Sequence, residues 1–199
     1  SLKIWALAKA NDPARVLILG DSISIGYTPF VAGFLGENFL VTRPMANAKT
    51  AENCAGTTKG VGAINRWLEI EGGGFDIIHF NFGLHDVKAI DPETGKASGN
   101  AAHPKQAELE VYLSQLTKIV DRLQKTGARL IFATTTPVPE GNVRPFRSPA
   151  DVQAYNAAAV KLMRARGIEV MGFKHMHEFD AWCIADVREC AQRIVELTR

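Results

Sequence analysis

Residue types suited to acyl transfer recur in this chain directly after apolar runs. The first group is Gly20-Asp21-Ser22, which closes the run Val16 to Leu19. Glycine permits a sharp exit. A serine at the amino end of the next helix lies where backbone N–H groups and the helix dipole favour developing negative charge. Such a hydroxyl can attack a carbonyl while nearby N–H groups hold the oxyanion. The competing reading is a polar turn with a capping side chain. The second group is "NFGLHDVK", where Gly83 allows another tight exit and His85-Asp86 bring an imidazole and a carboxylate to the same rim. The third is "AENCAGTTKG": Gly56 could aim its N–H at an oxyanion and Asn53 could add a side-chain donor, against an ordinary N-cap beside a flexible glycine. His79, inside an apolar run, reads as a core histidine. "TTTPVPEG" (134–141) reads as a stiff connection that walls a pocket at most, and Trp67 and Trp182 as core.

These groups need a scaffold that brings strand ends together. Apolar runs at 15–19, 39–42, 75–82, 128–133 and 168–171 read as strands. Between them lie helical spacings: about 58–70, then 109–123 ended by Gly127, then 148–166 opened by Ser148-Pro149, and a tail from about 180 to 197. Thr28-Pro29 reads as a cap and first turn opening a helix over Phe30, Val31, Phe34 and Leu35. Strands alternating with helices imply right-handed crossovers and a mostly parallel sheet covered on both faces. Ligands then bind beyond the carboxyl ends of the strands, near the reversal in strand order. All three groups sit at such ends.

Bulk properties narrow the function class. The chain of 199 residues suits one domain over 1–199, with 1–14 as an N-terminal extension and 172–199 as an atypical C-terminal segment. Its net charge is +2, without the dense basic face that nucleic acid requires. No apolar run approaches the roughly 20 residues that span a bilayer, so no membrane partner is expected. Cys54, Cys183 and Cys190 fit neither a disulfide framework nor a zinc spacing; one bridge, from Cys54 to Cys183 or Cys190, stays open. No phosphate-cradling glycine loop appears, which argues against a nucleotide binder.

Taken together, "GDSIS" with Ser22, Gly56 in the second block and "GLHD" with Gly83, His85 and Asp86 resemble the SGNH (GDSL-type) hydrolases. "RVLILGDSISIGYTP", "HFNFGLHD" and "ATTTPVPEG" further resemble a bacterial branch with histidine at the third-block asparagine position. The resemblance implies a flavodoxin-like three-layer α/β/α domain with a central, mostly parallel five-stranded sheet. It also implies no metal or cofactor, and hydrolysis of a small-molecule or glycan ester through an acyl-enzyme on Ser22. The N–H groups of Ser22 and Gly56 would hold the oxyanion, with Asn53, Asn81 or His85 replacing the missing asparagine donor. Asp21 and Asp86 complete the substrate-facing set.

The tail departs from that family. No Asp-x-x-His follows residue 171, and a crude match of the last helix puts Ala185 and Arg188 at those places. Arginine stays protonated and cannot act as base. Three readings stay open: His175 or His177 as base, oriented by Asp180 or Glu178; His85 acting directly on Ser22; or a broken triad, leaving a weak hydrolase or a module that binds carbohydrate or a small anion.

Overall fold

The computed structural model describes residues 12–141, 143–172 and 182–197, with side chains of the last segment from Asp186 onward. Its centre is β1 (Ala14–Leu19), whose inner residues Val16, Leu17, Ile18 and Leu19 are wholly buried. β2 (Phe39–Thr42) pairs on one side of it and β5 (Ile77–Phe80) on the other. β6 (Arg129–Ala133) and β7 (Glu169–Met171) continue beyond β5. All five strands run parallel, in the order β2-β1-β5-β6-β7. The chain first steps outward from β1 to β2 and then returns to the opposite side at β5. The reversal therefore falls between β1 and β5, where a crevice opens outside the strand ends.

Alternation along each strand sorts the core into two layers. Leu17, Leu19, Ile78, Phe80 and Phe132 face one way, against Trp67 and Ile64 of α2 (Thr57–Leu68). The same layer takes Leu116 and Ile119 of α3 (Leu109–Gln124) and Ala159 and Met163 of α4 (Pro149–Ala165). Val16, Ile18, Ile77 and Ile131 face the other way, against Tyr27 and Val31 of α1 (Ser22–Leu35) and Val187, Ala191 and Ile194 of α5 (Trp182–Glu196). Each large side chain buried here stabilises the fold by about 1.5–3 kcal/mol. Helices on both faces of one parallel sheet are the α/β/α sandwich expected from the sequence.

Two local expectations change. α1 begins at Ser22 rather than at Thr28-Pro29, because Asp21 caps it: its Oδ1 accepts the Ile23 N–H at 3.0 Å. Pro29 lies inside the helix and is exposed. A hairpin of β3 (Met45–Asn47) and β4 (Thr50–Ala51) had no strand signal. Asn47 Oδ1 builds its turn by accepting the N–H groups of Lys49 and Thr50.

Candidate active site

Ser22 is exposed at the first position of α1, directly past the carboxyl end of β1. The turn beneath it is fixed from several sides. Asp21 is buried, its carboxylate capping Ile23 and its carbonyl accepting the Ser24 hydroxyl at 2.7 Å. Ser22 so placed cannot slide away from the helix terminus, and its own N–H is one of the groups a helix start leaves without an intrahelical partner. Among the described residues no hydrogen bond joins the Ser22 hydroxyl to an imidazole.

The second loop is sewn to this turn by the backbone: Cys54 N–H donates to Gly20 O at 3.1 Å. Asn53 Oδ1 accepts the Ala55 N–H at 2.8 Å, which orients its amide group, and Ala55 takes the left-handed conformation with φ 54°. Gly56 follows as the N-cap of α2. A Cβ on Gly56 would sit 2.8 Å from Asp86 Oδ1 and 2.8 Å from Gln106 Nε2, so only glycine fits unless these groups shift. Glu52 braces the loop from behind. Arg66 donates to both its oxygens (2.9 and 3.0 Å), Trp67 Nε1 to one, and Lys59 pairs with it at 2.9 Å. Burial opposes the Glu52 charge, yet these donors prevail and hold its carboxyl at about 2.

Asp86 proves to be the pin between the second and third loops. It is wholly buried; Thr57 N–H approaches its oxygens at 2.9 and 3.2 Å, and the Thr57 hydroxyl lies 2.6 Å from Oδ1. That hydroxyl also lies 2.7 Å from Gln115 Oε1, and it has one proton for two acceptors. Burial pushes the Asp86 carboxyl up to about 6 against the Thr57 donors. Asp86 therefore faces the protein rather than a ligand, unlike the substrate-facing place expected for it.

Gly83 adopts φ 154°, and a Cβ there would collide with Thr135 Oγ1, so the exit from β5 needs glycine. The turn delivers His85 to the rim, half-buried. Lys88 Nζ lies 3.4 Å from His85 Nδ1. An ammonium only donates, so Nδ1 is the bare acceptor and the ring proton sits on Nε2. Burial, then the charges of Lys88, Arg147 and Lys59, push the imidazole down to about 4. His85 is thus neutral near pH 7, an N–H donor and a weak base. Sequence reasoning passed over Lys88 and Arg147. Arg147 Nε donates to Leu84 O at 2.7 Å across 63 residues of chain, a contact with no local signal.

His79 is the core histidine expected, its ring edge-on to Tyr27 at 5.9 Å and its Nε2 without a partner among the described residues. Asn81 is committed in part, its Nδ2 donating to Ala133 O at 2.8 Å, while its side chain lines a small cleft with Asp21, Ser24, Tyr27 and Thr136. Trp67 is buried as expected. Cys54 and Cys190 are both free and buried in opposite layers, so the bridge left open from Cys54 does not form. His175, His177, Glu178 and Asp180 lie outside the described residues, as does the Trp182 side chain. Arg188, which a crude match of the last helix would put at the family's histidine place, lies 5.3 Å over the Phe34 ring, at the end of α1 remote from Ser22. Among the described residues no cluster of three or more His, Cys, Asp or Glu side chains could hold a metal.

The profile of the GDSL-like lipase/acylhydrolase family matches residues 18–188. No curated protein matches the sequence. Among solved structures, a GDSL-like lipase from Bacteroides thetaiotaomicron aligns over 99% of this chain and 98% of its own, with TM-score 0.65 and 13% identity. An aryl esterase from M. smegmatis aligns over 92% and 99%, with TM-score 0.66 and 12% identity. A carbohydrate acetylesterase from Sinorhizobium meliloti aligns over 92% and 99%, with TM-score 0.62 and 12% identity. At such identities the likeness is one of fold.

Proposed function

The chain belongs to the GDSL-like lipase/acylhydrolase family, and from that premise we propose that it hydrolyses small acyl esters through an acyl-enzyme on Ser22. The observation that carries this reading is the exposed Ser22 at the start of α1, tied through Gly20 and Cys54 to the loop that presents Gly56. A base takes the Oγ proton as the Oγ–C bond forms. The oxyanion accepts hydrogen bonds from the N–H groups of Ser22 and Gly56 and from His85 Nε2–H, with the Asn53 amide as a further donor. The proton returns to the alcohol oxygen as the C–O bond breaks. Water then attacks the acyl group, releasing the carboxylic acid and free Ser22.

His85 fits the donor role better than the base role, since a base works best with a pKa near the operating pH and burial keeps this ring at about 4. The base is assigned to His177 or His175, oriented by Asp180 or Glu178. In support, the segment bearing them leaves β7 at Met171, whose carbonyl accepts the Thr134 N–H on the same rim. The acyl group is proposed to be acetyl carried on carbohydrate, in keeping with the carbohydrate acetylesterase and the acetyl xylan esterase that share the fold.

Arg188 stacked on Phe34 favours one second reading: an impaired hydrolase that binds carbohydrate or a small anion at this rim. Turnover of p-nitrophenyl acetate decides between them. Ser22→Ala is expected to lower kcat by about 1,000-fold or more. Equal rates for variant and wild type at every pH would remove Ser22 from the mechanism. Replacing His175 and His177 singly then assigns the base, as the histidine whose loss flattens the pH profile near neutrality.

A further inference from the structure

We propose that Lys88 and Arg147 form an anion subsite beside the acyl-transfer centre, so that the preferred substrate is an ester carrying a carboxylate, as an acylated uronate does. This rests on the esterase reading above and adds to it the charge of the substrate.

The two cations bracket one residue. Lys88 Nζ lies 3.4 Å from His85 Nδ1, and Arg147 is anchored by Nε to the carbonyl of the preceding residue, Leu84, and at 3.5 Å by Nη1 to Pro145 O. Both are half-buried. Their Coulomb repulsion is felt at Lys88, and both charges act on His85. Among the described residues neither has a carboxylate within ion-pair distance. Lys59 on the same rim makes the contrast, since it is neutralised by Glu52 at 2.9 Å.

Asp21 and Asp86 lie within field range of Arg147 and Lys88 respectively. Their carboxylates accept hydrogen bonds from the Ile23 N–H and from Thr57, and neither forms an ion pair with Arg147 or Lys88 among the described residues. Two like charges held partly out of water, with no ion pair among the described residues, repel each other, and a ligand carrying a negative charge relieves that cost. Nε and Nη1 carry the anchoring, and among the described residues Nη2 makes no hydrogen bond, so it can engage a carboxylate with charge-assisted hydrogen bonds. A pair of cations serving the oxyanion alone would accelerate neutral and charged esters alike. Substrate recognition predicts discrimination between them.

The test compares O-acetyl galacturonate with its methyl ester, which keeps the sugar and the acetyl group and removes the charge. Wild type is expected to favour the free acid in kcat/KM by about tenfold or more, with the preference shrinking as salt is raised. Arg147→Gln and Lys88→Gln should each cut that ratio by about tenfold, with circular dichroism verifying the fold. Equal kcat/KM for the two substrates in wild type, or a preference intact in both variants, overturns the proposal. Calorimetry on Ser22→Ala, comparing galacturonate with galactose, reads the subsite without turnover. Acid-selective binding supports the subsite even if no ester is cleaved, an outcome that would sink the esterase reading alone. Hydrolysis without charge preference sinks the subsite alone.

Discussion

Replacing His85 separates two mechanisms that place the same ring in the same pocket. With Nδ1 facing the Lys88 ammonium, the neutral ring has its proton on Nε2 and can only donate there. Burial and three neighbouring cations keep it neutral above about pH 4. Removing one preorganised donor from an oxyanion site costs about 100- to 1,000-fold in kcat, or roughly 2.7–4 kcal/mol. His85→Ala should therefore lower kcat for p-nitrophenyl acetate by that factor, while His85→Asn, which restores an amide donor, should recover most of it. The assay is kcat and kcat/KM from pH 4.5 to 9 for wild type and both variants. As His85 is neutral from about pH 5.5 upward, its loss should scale that part of the profile down without moving the limb near neutrality. If His85→Ala abolishes that limb, the ring is the base and the tautomer argument fails. If kcat is unchanged, His85 is not in the oxyanion site.

Further outcomes follow from the packing around the loops. Gly56→Ala forces a methyl group to 2.8 Å from Asp86 and Gln106, so stability should fall by about 1–3 kcal/mol and kcat with it; an unchanged urea midpoint and kcat would refute the close fit. Burial depresses His79 to about 4, so its contribution is present above about pH 6.5 and lost as pH falls toward 4, at most about 3 kcal/mol. His79→Leu should accordingly resist acid better than wild type in urea titrations at pH 4.5 and 7, and an identical pH dependence would contradict the buried neutral ring. Asp86 has the opposite sign: raised to about 6, it stabilises below about pH 4 and loses that contribution as pH rises through 6. Asp86→Asn keeps the Thr57 contacts without the charge, so its stability relative to wild type should climb by up to about 3 kcal/mol from pH 4 to 7. A constant difference would mean that folding does not raise the Asp86 carboxyl.

The strands and most helices were readable because their signals are local. Val16 to Leu19 is apolar throughout as a strand buried on both faces must be, and Val120, Ile119 and Leu116 repeat at helical spacing. Ser22 and Gly56 were legible for the same reason, as small residues at strand and helix junctions. The start of α1 was misplaced because proline is a stronger signal than a capping aspartate, although here it is the aspartate that sets the terminus. Asp86 looked like a site carboxylate because sequence shows its type but not its partner, and Thr57 lies 29 residues away. Lys88 and Arg147 were silent for a related reason. A surface-type cation becomes informative only when the carboxylates around it are seen to be engaged elsewhere.

The central claim is an activated hydroxyl at Ser22, and a fluorophosphonate tests it most directly. The reagent bonds covalently only to a serine whose proton is removed and whose developing charge is held. Intact-mass and peptide analysis should find one phosphonyl group on Ser22 in wild type and none in Ser22→Ala. Folded wild type that stays unlabelled, or that carries the group on another residue, contradicts the account.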